Sequence, residues 1–240
     1  MGALTKNNLV DLNLSLQNIN AGERIARLYD VYGEGLVAST SFGLQSAVML
    51  KLLHENAPKV PVIFIDTGYL FKETYSYAKQ LMEQYPLDYR AYFPEISPEQ
   101  QELKHGKLWE QGEIGSQKYA LINKIEPMNR ALSELNAQVW MSGLRREQSS
   151  TRATRSIIEQ QRTTIKAYPI LDWSDAQVDA FYAINGLIEH PLKAEGYVTM
   201  GDWHSTAKPK KEGDKESTRF GGNKYECGLH LDSGNQDFQI

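Results

Sequence analysis

The chain has a single cysteine, Cys227, which lies near its C-terminal end among polar and glycine neighbours. A lone cysteine is more often a small buried hydrophobe than a nucleophile, but the residues around Cys227 show no core periodicity. Lys224 and His230 favour the thiolate and Glu226 opposes it, so local charge alone does not decide whether the thiol is reactive. Because one thiol permits no internal disulfide, we expect a reducing, cytoplasmic setting.

A turn of serines and glycine links the first predicted strand to a helix and is a second candidate for chemistry. Its small and polar residues include Ser39, Ser41, Gly43 and Gln45. Hydroxyls and free backbone N–H groups at a helix N-terminus favour an anion such as phosphate. An ordinary capped turn is an alternative of equal weight. No Gly-Lys-Ser/Thr follows, so the turn is not a Walker-type loop.

The second predicted strand ends in Asp66, Thr67 and Gly68. A carboxylate and a hydroxyl at the carboxyl end of a strand can hold a ribose or an adenine amine. The alternative, again of equal weight, is that these residues only shape the turn into the next helix.

Arginines cluster after a later strand, at Arg145, Arg146, Arg152 and Arg155. Guanidinium groups suit the oxygens of phosphate and sulfate, whereas a charged loop paired with nearby carboxylates is the usual alternative. The phosphate interpretation is favoured because the cluster leaves a strand at the end of the sheet where ligands are expected.

These residues require a scaffold of alternating strands and helices. Strands are predicted at 35–40, 60–65, 87–93, 138–142 and 163–170. Helices are predicted at 46–56, 73–85, 126–135 and 174–184, the last capped by Ser174 and stopped by Asn185-Gly186. This alternation indicates an α/β fold with a doubly wound, mainly parallel sheet. Ligands bind such sheets at the carboxyl ends of the strands.

The chain of 240 residues is predicted to form one α/β catalytic domain over residues 1–207, with a helical N-terminal extension at 1–30. Residues 208–240 are predicted to be a mobile tail carrying Cys227, because Lys208–Lys215 has no apolar period. The net charge of −4 argues against a nucleic-acid binder. No apolar run approaches the ~20 residues that span a bilayer, and no signal peptide is visible.

Six segments, taken together and in chain order, closely resemble the bacterial assimilatory 3′-phosphoadenylylsulfate (PAPS) reductases. They are 41–45, 66–71, 107–112, 124–132, 143–149 and 226–230. The resemblance implies an adenine nucleotide α-hydrolase-like fold and the conversion of PAPS to sulfite and adenosine 3′,5′-bisphosphate in sulfate assimilation and cysteine biosynthesis. It also implies a homodimer and thioredoxin or glutaredoxin as the electron donor.

The same resemblance assigns roles to individual residues. Cys227 would be the nucleophile that attacks the sulfonate sulfur, forming an S-sulfonate that an external thiol resolves. The contacts to the phosphosulfate or the 3′-phosphate would come from Lys124, Arg145, Arg146, Arg219 and His230.

The resemblance also bears on whether the chain binds an iron–sulfur cluster. The sister family that reduces adenylylsulfate holds an iron–sulfur cluster through a Cys-Cys and a Cys-x-x-Cys pair. The matching segments here are Tyr119-Ala120 and Asp202–Ser205, which contain no cysteine, and a four-iron cluster needs thiolate ligands. We therefore expect no bound cofactor and no metal. The resemblance implies a basic residue at position 207, where this chain has Ala207. We therefore expect Lys208 or Lys210 to supply part of the contacts to phosphate.

Two other classes of function remain open. An ATP pyrophosphatase of the same fold would use the turn after the first strand without needing Cys227, and it would release pyrophosphate from ATP. A non-catalytic nucleotide-binding protein would keep the basic site but release no sulfite. Neither explains the Glu226–His230 segment.

Overall fold

The computed structural model of the chain describes residues 6–161, 164–211 and 218–219. Cys227 and His230 lie outside the described residues, as does most of the predicted tail. Its strands are β1 (Leu36–Thr40), β2 (Val62–Ile65), β3 (Tyr89–Tyr92), β4 (Val139–Met141), β5 (Ile158–Gln161) and β6 (Thr164–Ala167). They form one six-stranded sheet in the order β3-β2-β1-β4-β6-β5.

The sheet confirms the predicted doubly wound, mainly parallel architecture. Every pairing of the described strands is parallel except that of β5 with β6. The chain proceeds outwards from β1 to β3 and then crosses back to place β4 on the other side of β1. This reversal makes a topological switch point between β1 and β4, where a crevice opens at the carboxyl ends of the strands.

The helices cover both faces of the sheet. They are α1 (Lys6–Gln17), α2 (Ala21–Tyr32), α3 (Ser46–Asn56), α4 (Lys72–Gln84), α5 (Pro98–His105), α6 (Gly112–Ala120), α7 (Glu126–Glu134), α8 (Asp175–Asn185) and α9 (Pro191–Ala194), and a π-helical turn, Leu121–Ile125, joins α6 to α7. Alternate strand residues face opposite sides. Leu36 and Ala38 pack in the larger core with α2, α3 and α8, whereas Val37 packs with Met128 and Ala131 of α7. Burial on both faces explains the continuous apolar character of the central strands.

Most predicted elements are confirmed, with ends that differ by a few residues. The capping prediction for α8 is also confirmed: Ser174 accepts a hydrogen bond from the N–H of Gln177, and Gly186 ends the helix with φ of +56°. α5, α6, α9 and β5 were not predicted. The predicted strand 163–170 is shorter, and its partner β5 is an edge strand whose sequence IEQQ lacks an apolar pattern.

The first two helices belong to the same core. Leu16, Ile25 and Leu28 are fully buried in it. Arg24 donates to the carbonyls of Leu16 and Pro169 and forms an ion pair of 2.6 Å with Asp172. Among the described residues, no helix is both long enough and apolar enough to cross a membrane.

Candidate functional site

A cavity of about 350 Å³ lies at the switch point, at the carboxyl ends of β1, β2 and β4. The predicted site residues that line it are Ser39, Ser41, Gly43, Gln45, Thr67, Lys124, Arg145 and Arg219. The segment 198–202, which the sequence analysis did not assign to a site, completes its wall. The structure thus brings these residues together from six separate parts of the sequence.

The turn after β1 forms part of the cavity wall. Phe42 adopts a left-handed φ of +47°, which is costly for a residue with a side chain. The conformation is held because the ring of Phe42 is fully buried, 4.9 Å edge-on from Phe64, and its N–H donates to Thr40 Oγ1. Within the described part of the chain, no side chain caps α3, but the N–H groups of Ser46 and Val48 donate to the carbonyls of Gly43 and Gln45. The missing side-chain cap agrees with an anion site at this turn, and the binding of an anion there stays a prediction.

Arg145 fastens this turn to α8. Its guanidinium is fully buried and donates to Gln45 Oε1 at 2.8 Å, to Asp175 Oδ1 at 2.6 Å and to the carbonyl of Trp173 at 3.0 Å. Gln148 also donates to Gln45. The fork of Arg145 therefore positions Gln45, and its predicted contact with a substrate anion stays a prediction.

The other arginines of the cluster divide into two groups. Arg146 lies outside the cavity lining and donates to the carbonyl of Arg155 at 2.9 Å. Arg152 lines the cavity and donates to Gln148 Oε1 at 2.5 Å. Arg152 belongs to the predicted arginine cluster but not to the predicted anion contacts, because sequence order alone does not show which arginine faces the crevice.

Of the three predicted site residues after β2, one lies in the cavity wall and two lie outside it. Asp66 accepts hydrogen bonds from the N–H of Gly68 and from the hydroxyl of Tyr75, outside the cavity lining, which is the turn-shaping role. Gly68 has φ of +75°, and a Cβ there would lie 2.5 Å from Pro98 Cγ, so the turn requires glycine. Thr67 lines the cavity and donates to Asp202 Oδ1 at 2.6 Å.

Lys124 and Asp202 form a buried ion pair in the cavity wall. Lys124 lies in the π-helical turn, and its Nζ is 2.5 Å from Asp202 Oδ2. Asp202 is fully buried. Burial opposes the charge of this carboxyl group, but the ammonium of Lys124 and the hydroxyl of Thr67 hold its pKa below the ordinary value. π-Helical turns occur frequently at functional sites.

The two segments that match the cluster-binding cysteines of the sister family lie side by side. The ring of His204 stacks on Trp109 at 4.1 Å, and its centroid is 4.7 Å from that of Tyr119. Burial lowers the pKa of His204 to about 4 and raises the pKa of the Tyr119 hydroxyl. Aromatic rings thus fill this region. In the part of the chain that the structure describes, no group of three or more His, Cys, Asp or Glu side chains could hold a metal ion.

Arg219 reaches the cavity through a close approach to Gly201. A Cβ on Gly201 would lie 1.9 Å from Arg219 Nη1, so a larger residue would force the guanidinium to move from its present position. Residues 218–219 are joined to the preceding segment, because Ala207 donates its N–H to the carbonyl of Thr218. Lys208 Nζ lies 3.7 Å from Glu195 Oε2 and outside the cavity lining, and the expected contact of Lys208 or Lys210 with a phosphate stays a prediction.

Comparisons with known proteins identify the family. The phosphoadenosine phosphosulfate reductase domain matches residues 35–208. The phosphoadenosine 5′-phosphosulfate reductase of Photobacterium profundum is 46% identical over 95% of this chain and 90% of its own length. The chain belongs to the phosphoadenosine phosphosulfate reductase family. This confirms the family that the six sequence segments resemble.

Solved structures of the phosphoadenosine phosphosulfate reductase family and of other nucleotide enzymes share the fold. The PAPS reductase of Candida auris, determined as a phosphate complex, is 31% identical, with a TM-score of 0.75 over 86% of this chain and 99% of its own. The FMN adenylyltransferase of Candida glabrata, determined with FAD and pyrophosphate, is 15% identical with a TM-score of 0.60, over 85% of this chain and 68% of its own. The second likeness concerns the fold alone, and together they confirm the adenine nucleotide α-hydrolase-like architecture.

Proposed function

We propose that this chain reduces PAPS to sulfite and adenosine 3′,5′-bisphosphate in sulfate assimilation, on the route to cysteine. The observation that carries the proposal is the cavity at the switch point, which has an uncapped helix N-terminus and cationic walls in a chain of this family. PAPS is a polyanion with a 5′-phosphosulfate and a 3′-phosphate. Lys124, Arg152 and Arg219 line the cavity and supply the charge that such a ligand requires.

Cys227 is proposed as the nucleophile. It follows Arg219 by eight residues, and an extended chain spans at most ~3.6 Å per residue. Cys227 therefore stays within roughly 29 Å of a residue that lines the cavity. Its thiolate would attack the sulfonate sulfur and form an S–S bond. The S–O bond to the nucleotide phosphate would break, and the nucleotide would leave with the electron pair.

The resulting S-sulfonate needs a second thiolate, which this sequence, with one cysteine, does not contain. Reduced thioredoxin or glutaredoxin would attack Cys227 sulfur, release sulfite and form a mixed disulfide, which the second thiol of the redoxin then resolves. The dithiol of the redoxin thus supplies both electrons. The family resemblance also favours a homodimer, a cytoplasmic setting and the absence of an iron–sulfur cluster.

A sulfite-release assay with reduced thioredoxin tests the proposal by comparing PAPS with adenylylsulfate. The 3′-phosphate offers charge-assisted hydrogen bonds, each worth about 1.5–3 kcal/mol, so kcat/KM should be at least about tenfold higher for PAPS. Equal efficiency on the two nucleotides would contradict the substrate assignment. Release of pyrophosphate from ATP, without release of sulfite from PAPS, would support the pyrophosphatase alternative.

A further inference from the structure

Asp202 is a buried carboxylate that the sequence analysis did not assign to the site, yet it lies in the cavity wall. Its backbone is fixed from both sides. It forms a β-bridge with Leu70, and the N–H of Trp203 donates to the carbonyl of Tyr69 at 2.9 Å. A rigid segment therefore holds this carboxylate beside the strand end that carries Thr67.

The two oxygens of Asp202 have different partners. Oδ1 accepts the hydroxyl hydrogen of Thr67 at 2.6 Å, and Oδ2 lies 2.5 Å from Lys124 Nζ. The hydroxyl fixes the orientation of the carboxylate, and the carboxylate then fixes the ammonium. The ring of Tyr119 lies 5.8 Å from the same ammonium.

An ammonium has three N–H donors on a flexible stem. The ion pair with Asp202 holds Lys124 from one side, and the ammonium also lines the cavity, where it can donate to an anion. Without its partner, a lysine as buried as Lys124 would pay the full desolvation penalty of its charge and would turn toward solvent or another acceptor.

We propose that Asp202 is a positioning residue for sulfonate transfer: it acts through Lys124, holding the ammonium at the cavity wall, and Thr67 orients the carboxylate. This inference rests on the proposed reduction of PAPS, because the anion that would meet Lys124 is a phosphate or sulfonate of that substrate. Asp202 itself, as an anion engaged by two donors, does not contact the substrate's oxygens.

A double-mutant cycle on the full-length chain separates positioning from a structural role. Asp202→Asn, Lys124→Met and the double variant are compared by kcat/KM for sulfite release from PAPS with saturating reduced thioredoxin. Asp202→Asn should lower kcat/KM by about ten- to a hundredfold, the range of one charge-assisted hydrogen bond. In the Lys124→Met background the same change should cost less than about twofold, because residues that act through one another are not additive.

Two further variants keep the test decisive. Asp172→Asn removes the carboxylate of a second ion pair, between buried Arg24 and exposed Asp172, which lies outside the cavity, and should leave kcat/KM within about twofold of wild type. If Asp202→Asn fails to fold, Thr67→Val, which removes only the orienting hydrogen bond, should lower kcat/KM at least about threefold and only when Lys124 is present. Losses that multiply in the double variant would overturn the positioning role. A wild-type chain that releases no sulfite would instead refute the proposed function.

Discussion

The close approach of Arg219 to Gly201 allows one cavity cation to be displaced without removing its charge. In Gly201→Ala, the new Cβ would lie 1.9 Å from Nη1, 2.4 Å from Nη2 and 2.5 Å from Cζ of Arg219. Ordinary contact begins at 3.4 Å, so the guanidinium must retreat by about 1.5 Å. The side chain is buried and donates to Thr206 Oγ1, so this retreat also disturbs an existing hydrogen bond.

A hydrogen bond weakens steeply over such a distance. If Arg219 contacts an anionic group of PAPS, Gly201→Ala should lose most of one charge-assisted bond, about 1.5–3 kcal/mol. This corresponds to a fall of about ten- to a hundredfold in kcat/KM. Steady-state sulfite release measures the loss, and calorimetric titration with adenosine 3′,5′-bisphosphate shows whether Arg219 acts on the nucleotide or on the sulfonate.

Gly196→Ala is the matched control, because Gly196 lies in the same connecting segment, has φ of +89° and has no atom within 4 Å of the point where a Cβ would lie. It should cost about 1 kcal/mol of stability through backbone strain and leave kcat/KM unchanged. A folded Gly201→Ala protein with wild-type kcat/KM would refute the reasoning. It would mean either that Arg219 relocates freely or that it does not serve the substrate.

Three further predictions address the nucleophile, the intermediate and the effect of acid. Cys227→Ser should abolish sulfite release while calorimetry still detects nucleotide binding, since a hydroxyl is a far weaker nucleophile than a thiolate; appreciable turnover would exclude Cys227. With PAPS and no reductant, intact-mass measurement should show one sulfonate on Cys227 that disappears on adding reduced thioredoxin; multiple turnovers without a thiol would contradict the two-step scheme. Burial lowers the pKa of His190 to about 4, and its Nδ1 accepts the N–H of Leu192, so the neutral ring stabilises the fold above pH ~6.5. This stability should decline as pH falls from ~6.5 towards 4, by up to about 1.4 kcal/mol per pH unit, and urea unfolding at several pH values should show a flatter slope for His190→Asn.

The central strands could be predicted from the sequence because both faces of the sheet are covered. Burial on two sides forces continuous apolar runs such as Val62–Ile65, which a local pattern reveals. β5 could not be found this way, since an edge strand needs few apolar residues and its sequence IEQQ contains one. α5 has a capping box at Ser97 and Gln100 with proline in its first turn, a signal that was present in the sequence but has no apolar stripe behind it.

Site residues could be predicted where they directly follow a strand. They could not be predicted where a distant segment of the chain returns to the cavity. The turn after β1, Thr67, Lys124 and Arg145 lie in the cavity wall as strand order suggests. Asp202 was missed because its partner Thr67 is 135 residues away. Arg146, which the resemblance assigns to an anion contact, lies outside the cavity lining, whereas Arg152 lies in it, and sequence position alone does not show which side of a loop faces the crevice.

Two cations of the cavity wall are already paired with carboxylates of the same chain. Lys124 is paired with Asp202 and Arg145 with Asp175, so these two positive charges are already balanced and fixed by the protein before any ligand arrives. Pairing of this kind lowers the desolvation cost of burial and fixes the direction of the remaining donors. Such a site would stabilise the negative charge of a ligand mainly through donors held in fixed directions, and less through an excess of positive charge. The FMN adenylyltransferase of Candida glabrata shares this fold, so the fold alone does not determine the reaction. The reaction of a given chain depends on the residues that its own sequence places at the site. In this chain we propose that the deciding residue is Cys227. It follows Arg219, which lines the cavity, by eight residues.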